Sequence, residues 1–313
     1  MGALMPARGE EPARVPRVVI VMFGSPARFR RREDAFRKAM ADLGYAEGRN
    51  VIYELRSANG QQELLEEHAR DLAHGGADVV VSASTLATGA LYKGGVSLPV
   101  VMVAVDDPVA RGFARSIARP GANFTGLTAD AVEHAPRYVE LLSQAAGRMS
   151  RIAILANPDN STYGAFREHM GNAVSRSGAR LVIIEAANPD QLDREFPAPG
   201  QDFADGLIVM NDPMLYNERI RIVELARDAR RPVIYPHRGY AEEGGLMSYG
   251  PNPELEMRHA AAYVDRILKG AHPRDMAIQP PAKLELVVNR TAARGMGFHL
   301  PPEFLKKADR IIG

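Results

Sequence analysis

Three aspartates stand where a short apolar run gives way to a turn: Asp106 and Asp107 after residues 100–105, and Asp212 after residues 207–210. A carboxylate taken out of water needs a cation or several donors, so a ligand ammonium is one partner for these groups. Asp107 and Asp212 also precede proline, a common way to open a turn, and that reading stands beside the first. The opposite chemistry, holding a carboxylate, is offered at Gly24-Ser25-Pro26 and at Ser84-Thr85, where helices are expected to begin. Free N–H groups and the positive end of a helix dipole favour an anion there, and Gly24 allows close backbone approach. The same hydroxyl residues are equally ordinary N-caps. Asn157 and Asn211 occupy corresponding strand ends in the second half, and His237 follows a strand where it can hydrogen-bond a ligand, although a lone histidine is more often structural. Tyr163, Tyr216, Tyr235 and Tyr249 offer flat apolar faces with a polar tip, suited to a planar ligand. There is no tryptophan to act as a stacking plate.

Catalysis has little to work with. The patterns Gly-x-Ser-x-Gly, His-Glu-x-x-His and Gly-x-x-x-x-Gly-Lys-Ser/Thr are absent, and the eight histidines show no metal-ligand spacing. The lack of cysteine removes disulfides, thiolate nucleophiles and cysteine metal sites together. No enzyme activity, catalytic residue, metal or cofactor is therefore expected. Lys and Arg total 39 against 38 Asp and Glu, which leaves no overall field to draw in nucleic acid or an anionic membrane. The dense basic run Arg28, Arg30, Arg31 and Arg32 is followed at once by Glu33 and Asp34, so it reads as a solvated helix face, with Arg28 alone placed to reach a cleft.

These residues need a scaffold, and the periodicity supplies one. Short apolar runs at 18–23, 51–55, 78–81 and 100–105 alternate with helix-length segments at 28–43, 61–74 and 85–92, the pattern of βα units around a parallel sheet. The theme returns with runs at 152–155, 181–184, 207–210 and 233–235 and helices near 163–177 and 214–230. A chain of 313 residues accommodates two such lobes, each with its own core. In open parallel sheets ligands bind outside the carboxyl ends of the strands, and all the polar residues above lie at such ends.

Turn-rich stretches mark three crossings between lobes, near 123–127, 247–251 and 278–283. The expected division is a tail over 1–16, a first lobe of 17–123 with 251–278, and a second of 127–247 with 283–313. The tail, rich in Pro, Gly and charge, reads as mobile chain or the remnant of a replaced leader.

Several phrases have a more specific character. Leu43-Gly44-Tyr45, Glu47-Gly48-Arg49-Asn50-Val51, Asp106-Asp107-Pro108-Val109, Ala118-Arg119-Pro120-Gly121, Asn123-Phe124-Thr125-Gly126-Leu127, Gly244-Gly245-Leu246-Met247-Ser248-Tyr249-Gly250 and Tyr263-Val264-Asp265-Arg266-Ile267-Leu268-Lys269-Gly270 resemble the TrpX-type ABC transporter substrate-binding proteins. Where many of those proteins have Pro-Asp-Pro after a second-lobe strand, this chain has Asn211-Asp212-Pro213. The resemblance implies a type I periplasmic-binding-protein fold, two Rossmann-like α/β lobes joined by three hinge crossovers. It further implies closure on a small organic ligand, an aromatic amino acid or related carboxylate first, and delivery to ABC permease and ATPase subunits by a monomer outside the cytoplasm. A cytoplasmic small-ligand sensor on the same fold is the alternative.

Overall fold

Val18, Ile20 and Met22 alternate with Val19 and Val21, and both sets are buried, so this run must be covered on two faces. A computed structural model of the protein, which describes residues 14–129, 133–197 and 201–313, shows how. The expected tail lies outside the described residues as far as residue 13, as does the Arg28 side chain.

In the first lobe β1 (Arg17–Met22), β2 (Ile52–Ser57), β3 (Val79–Ser82), β4 (Val100–Val105) and β5 (Phe124–Thr128) form an all-parallel sheet of order β2-β1-β3-β4-β5. Helix α1 (Pro26–Asp42) joins β1 to β2, while α2 (Gln62–Ala73) and α3 (Thr85–Lys93) follow β2 and β3. Val18 and Ile20 pack with Phe36 and Met40 of α1, whereas Val19 and Val21 pack with Leu65, Leu72 and Leu91 on the opposite face.

The second lobe contains α4 (Ala135–Ala146), β6 (Arg151–Ala156), α5 (Tyr163–Arg176), β7 (Arg180–Glu185), α6 (Pro189–Glu195), β8 (Gly206–Val209), α7 (Pro213–Asn217), α8 (Arg219–Asp228), β9 (Val233–Tyr235), α9 (Arg238–Glu242) and β10 (Met247–Pro251). The chain then returns to the first lobe, where α10 (Pro253–Leu268) lays Met257, Ala260, Ala261 and Val264 on the α1 face. A final passage gives β11 (Leu284–Asn289), α11 (Arg290–Met296), α12 (Pro302–Leu305) and β12 (Arg310–Ile312) in the second lobe. Its sheet has the order β12-β11-β10-β9-β8-β6-β7, parallel except for β10 against β11.

The fold is therefore the two-lobed α/β architecture with three crossovers, with differences in detail. The first sheet has five strands where four runs were read, because the segment expected as the first crossing is itself β5, hydrogen-bonded to β4. Likewise β10 occupies 247–251, and the chain passes between lobes just beyond each of these strands. Buried backbone groups need partners, which favours pairing the flanks of a crossing into a sheet. The helix expected over 214–230 is two, α7 and α8, meeting at Glu218.

Candidate functional site

Both sheets reverse their strand order once, between β1 and β3 in the first and between β6 and β8 in the second. Such switch points open a crevice at the strand carboxyl ends. Here the two crevices face each other and enclose a cavity of about 220 Å³ between the lobes.

The first lobe presents two helix starts. Ser25 is the N-cap of α1 with extended backbone (φ −78°, ψ 148°), but its side chain does not cap the helix. Its hydroxyl and the first-turn amides next to it therefore remain available to an anion in the cleft. Ser84 is an ordinary cap, accepting from the Ala87 N–H at 3.2 Å. Thr85 serves a neighbour: its Oγ1 accepts from the Asp106 N–H at 3.1 Å and donates to Asp106 Oδ2 at 3.3 Å.

Asp106 owes its position to a bulge. The inward alternation of β4 places Val101 and Val103 on the α1 face and Val100 and Met102 on the other, yet Val105 joins the latter pair. The register against β5 shifts between Met102 and Val105, and Ala104 adopts φ +54°. One extra residue re-aims the chain beyond it, so Asp106 lines the cleft. Its carboxylate is bonded by neutral donors, Thr85 and Asn211, since Arg111 Nε donates at 2.9 Å to the Asp106 carbonyl instead. Burial pushes the carboxyl up to about 6, against the lowering effects of Arg111 and of the Thr85 and Asn211 bonds.

The second lobe answers with a relay. His237 Nε2 donates to Asn211 Oδ1 at 2.6 Å, and Asn211 Nδ2 donates across the cleft to Asp106 Oδ1 at 2.8 Å. Burial, aided by the positive charge of Arg32, pushes His237 down to about 4, so the ring is neutral and its Nε2–H holds the amide orientation. Asp212 caps α7 through the Leu215 N–H at 2.9 Å and accepts from Asn157 Nδ2 at 3.2 Å and Asn160 Nδ2 at 2.8 Å.

Of the residues singled out in the sequence, Gly24, Ser25, Ser84, Thr85, Asp106, Asn211 and Asp212 line one cavity. Asp107 does not: it is exposed at φ +38° and accepts from the Ala110 N–H in a turn. Asn157 stands behind the cleft, orienting Asp212. Three of the four tyrosines lie elsewhere. Tyr235 is core, stacked on Tyr240 at 4.6 Å, Tyr163 bonds Glu185 beside α5, and Tyr249 packs edge-on to Tyr138. Strand β9 is buried on both faces, which is why Tyr235 is lost to the core.

The aromatic wall comes instead from Phe29, Tyr216 and His237, the last two with ring centroids 5.1 Å apart. Arg32 and Arg219 also reach the cleft, so the basic run is not wholly a solvated face. The spacing Ser25, Phe29, Arg32 puts all three on one helix face, a signal present in the sequence once Ser25 is taken as the cap.

Comparison with known proteins agrees with this geometry. Residues 18–312 match the model of the ABC transporter substrate binding protein family. A tyrosine-binding protein of Clostridioides difficile (strain R20291) is 20% identical over 261 residues, spanning 83% of this chain and 75% of that protein. The crystal structure of a conserved domain protein from Vibrio cholerae superposes with a TM-score of 0.84 at 23% identity, covering 95% of this chain and 100% of the other. A Streptococcus pneumonia ABC domain in complex with L-Trp also gives 0.84, at 20% identity and over 95% and 99% of the two chains. A family match over nearly the whole chain, on a fold that places its polar strand ends around one interlobe cavity, establishes that this chain belongs to the ABC transporter substrate-binding protein family.

Proposed function

We propose that this protein is the solute receptor of an ABC importer and that its ligand is an aromatic amino acid, bound as the zwitterion between the lobes. The observation that carries this reading is Asp106: a buried carboxyl raised to about 6 by burial, bonded by neutral donors only, in the same cavity as the uncapped start of α1. A ligand ammonium supplies the cationic donor that the Asp106 carboxylate lacks, and the ligand carboxylate meets Ser25 and the first-turn amides of α1. Between these charges, Phe29 and Tyr216 supply flat apolar faces for a ring. The relatives named for tyrosine and crystallised with L-Trp point to the same ligand class.

The receptor works without a catalytic group. Ligand touching both lobes favours the closed arrangement, and the permease reads the rims that closure brings together, while the ATPase subunits supply the energy. The protein acts as a monomer outside the cytoplasm.

A thermal-shift panel of amino acids, aromatic carboxylates, purines and sugars tests the ligand class. A ligand at 100 times its Kd stabilises by about 2.7 kcal/mol, so an aromatic amino acid should raise Tm by several degrees while sugars leave it unmoved. A sugar or purine that raises Tm instead contradicts the proposal.

A further inference from the structure

Among the described residues, one cation in the cleft has a ring beneath it but no hydrogen-bonded or ion-paired acceptor. Arg32 lies on α1 seven residues beyond Ser25, with Phe29 between them, all three on one face and lining one cavity. At the rise of an α-helix, Ser25 and Arg32 are ~10 Å apart along the axis, and side chains lean back toward the N-terminus, which shortens the gap between their tips. The face thus reads in order as an anion-holding helix start, an aromatic wall and a guanidinium.

The Arg32 guanidinium lies over the Phe29 ring at 5.9 Å and near enough to His237 to depress its pKa. Among the described residues it makes no hydrogen bond or ion pair. The other arginines around it are engaged: Arg37 with Glu33 and Glu47, Arg219 with Glu243, and Arg238 with Glu254, the carboxylate whose field Arg32 also feels. An apolar ring accepts none of the five N–H donors of a guanidinium, so they remain free to serve a ligand oxygen.

We infer that Arg32 is the residue that sets ring specificity: it donates to an oxygen at the far end of the bound side chain, so the site prefers tyrosine to phenylalanine. This rests on the aromatic amino acid reading above. With the α-carboxylate at Ser25 and the ring against Phe29, the phenolic oxygen of tyrosine comes to the Arg32 end. Phenylalanine offers nothing there, and the tryptophan indole offers only a donor, which a guanidinium cannot use.

Calorimetric titration of the unfolded-and-refolded wild type and of Arg32→Met with tyrosine and phenylalanine tests this. Methionine keeps a long apolar stem over Phe29 and removes the donors. In the wild type, tyrosine should bind at least about tenfold more tightly than phenylalanine, the worth of a hydrogen bond to a charged group. In Arg32→Met the ratio should fall to within about threefold of one. A ratio near one in the wild type, or a ratio that survives in the variant, overturns the role of Arg32 while leaving the aromatic amino acid reading intact. Binding of neither amino acid to the wild type overturns the role of Arg32, and if tryptophan fails to bind as well, both readings are overturned.

Discussion

Asp106 gives the site a pH dependence whose direction follows from its environment. A ligand ammonium favours the ionised carboxylate, so the bound form holds its proton less tightly than the free form, where the pKa is about 6. Affinity is then near its maximum at about pH 7–8, half of that at about pH 6, and about tenfold weaker at pH 5 than at pH 7.5. His237, at about 4, does not titrate in that interval. Calorimetry at the two pH values should show this loss, and Asp106→Asn should bind weakly with no dependence on pH; a wild type whose affinity rises on acidification contradicts the assignment. The unliganded fold responds with the opposite sign. Because the folded pKa lies above the ordinary carboxylate value of about 4, stability declines as pH rises through 6, and Asp106→Asn relieves that decline. Asp212 is of a different kind, since its oxygens are occupied by Leu215, Asn157 and Asn160. Asp212→Ala removes a cap and strands two amides, and should lower stability by about 2–4 kcal/mol in urea denaturation. The sequence offered ligand contact for both aspartates, with turn chemistry beside it for Asp212. Hydrogen-bond partners separate them, and those depend on tertiary contacts that no local pattern encodes.

Among the elements, β4 with β5 makes the fold's least regular pairing and its most consequential. Gly126 sits in β5 at φ +130°, and a Cβ there would lie 2.2 Å from the Met102 carbonyl oxygen, so no other residue fits without parting the strands. Gly126→Ala should therefore lower the urea midpoint by the equivalent of at least about 2 kcal/mol and weaken ligand binding, because the same pairing fixes the bulge that aims Asp106. A variant as stable as wild type would mean that the strands pair in another register. Short apolar runs separated by helix-length segments made most helices and strands readable in advance: β1, β3 and β4, with α1, α2 and α3, fall within about two residues of the runs and helices read from the sequence. The bulge was not readable, because Val100–Val105 is an unbroken apolar run whose two faces are both buried. The break between α7 and α8 was likewise hidden, since residues 214–230 carry no glycine or proline inside to mark it.

At the scale of the whole molecule, polar contacts join the lobes. Asn211 bonds Asp106 across the cleft, and nearer the crossings Arg238 of α9 pairs with Glu254 of α10 while also facing Glu242 and Glu285. Arg238 is only 14% exposed, so removing it strands carboxylates that are themselves half-buried. Arg238→Met should loosen the closed arrangement, seen as a larger radius of gyration by small-angle scattering that saturating ligand reverses. The central claim is that one ligand carries a cationic group to Asp106 and an anionic group to the start of α1. The most direct test is calorimetric titration of the refolded protein with phenylalanine, phenethylamine and 3-phenylpropionate, which share a ring and differ in which charge is missing. The account predicts that phenylalanine binds and that loss of either charge weakens binding at least about 100-fold, since each leaves a desolvated group without its partner. Equal affinity for phenylalanine and either singly charged analogue would contradict it.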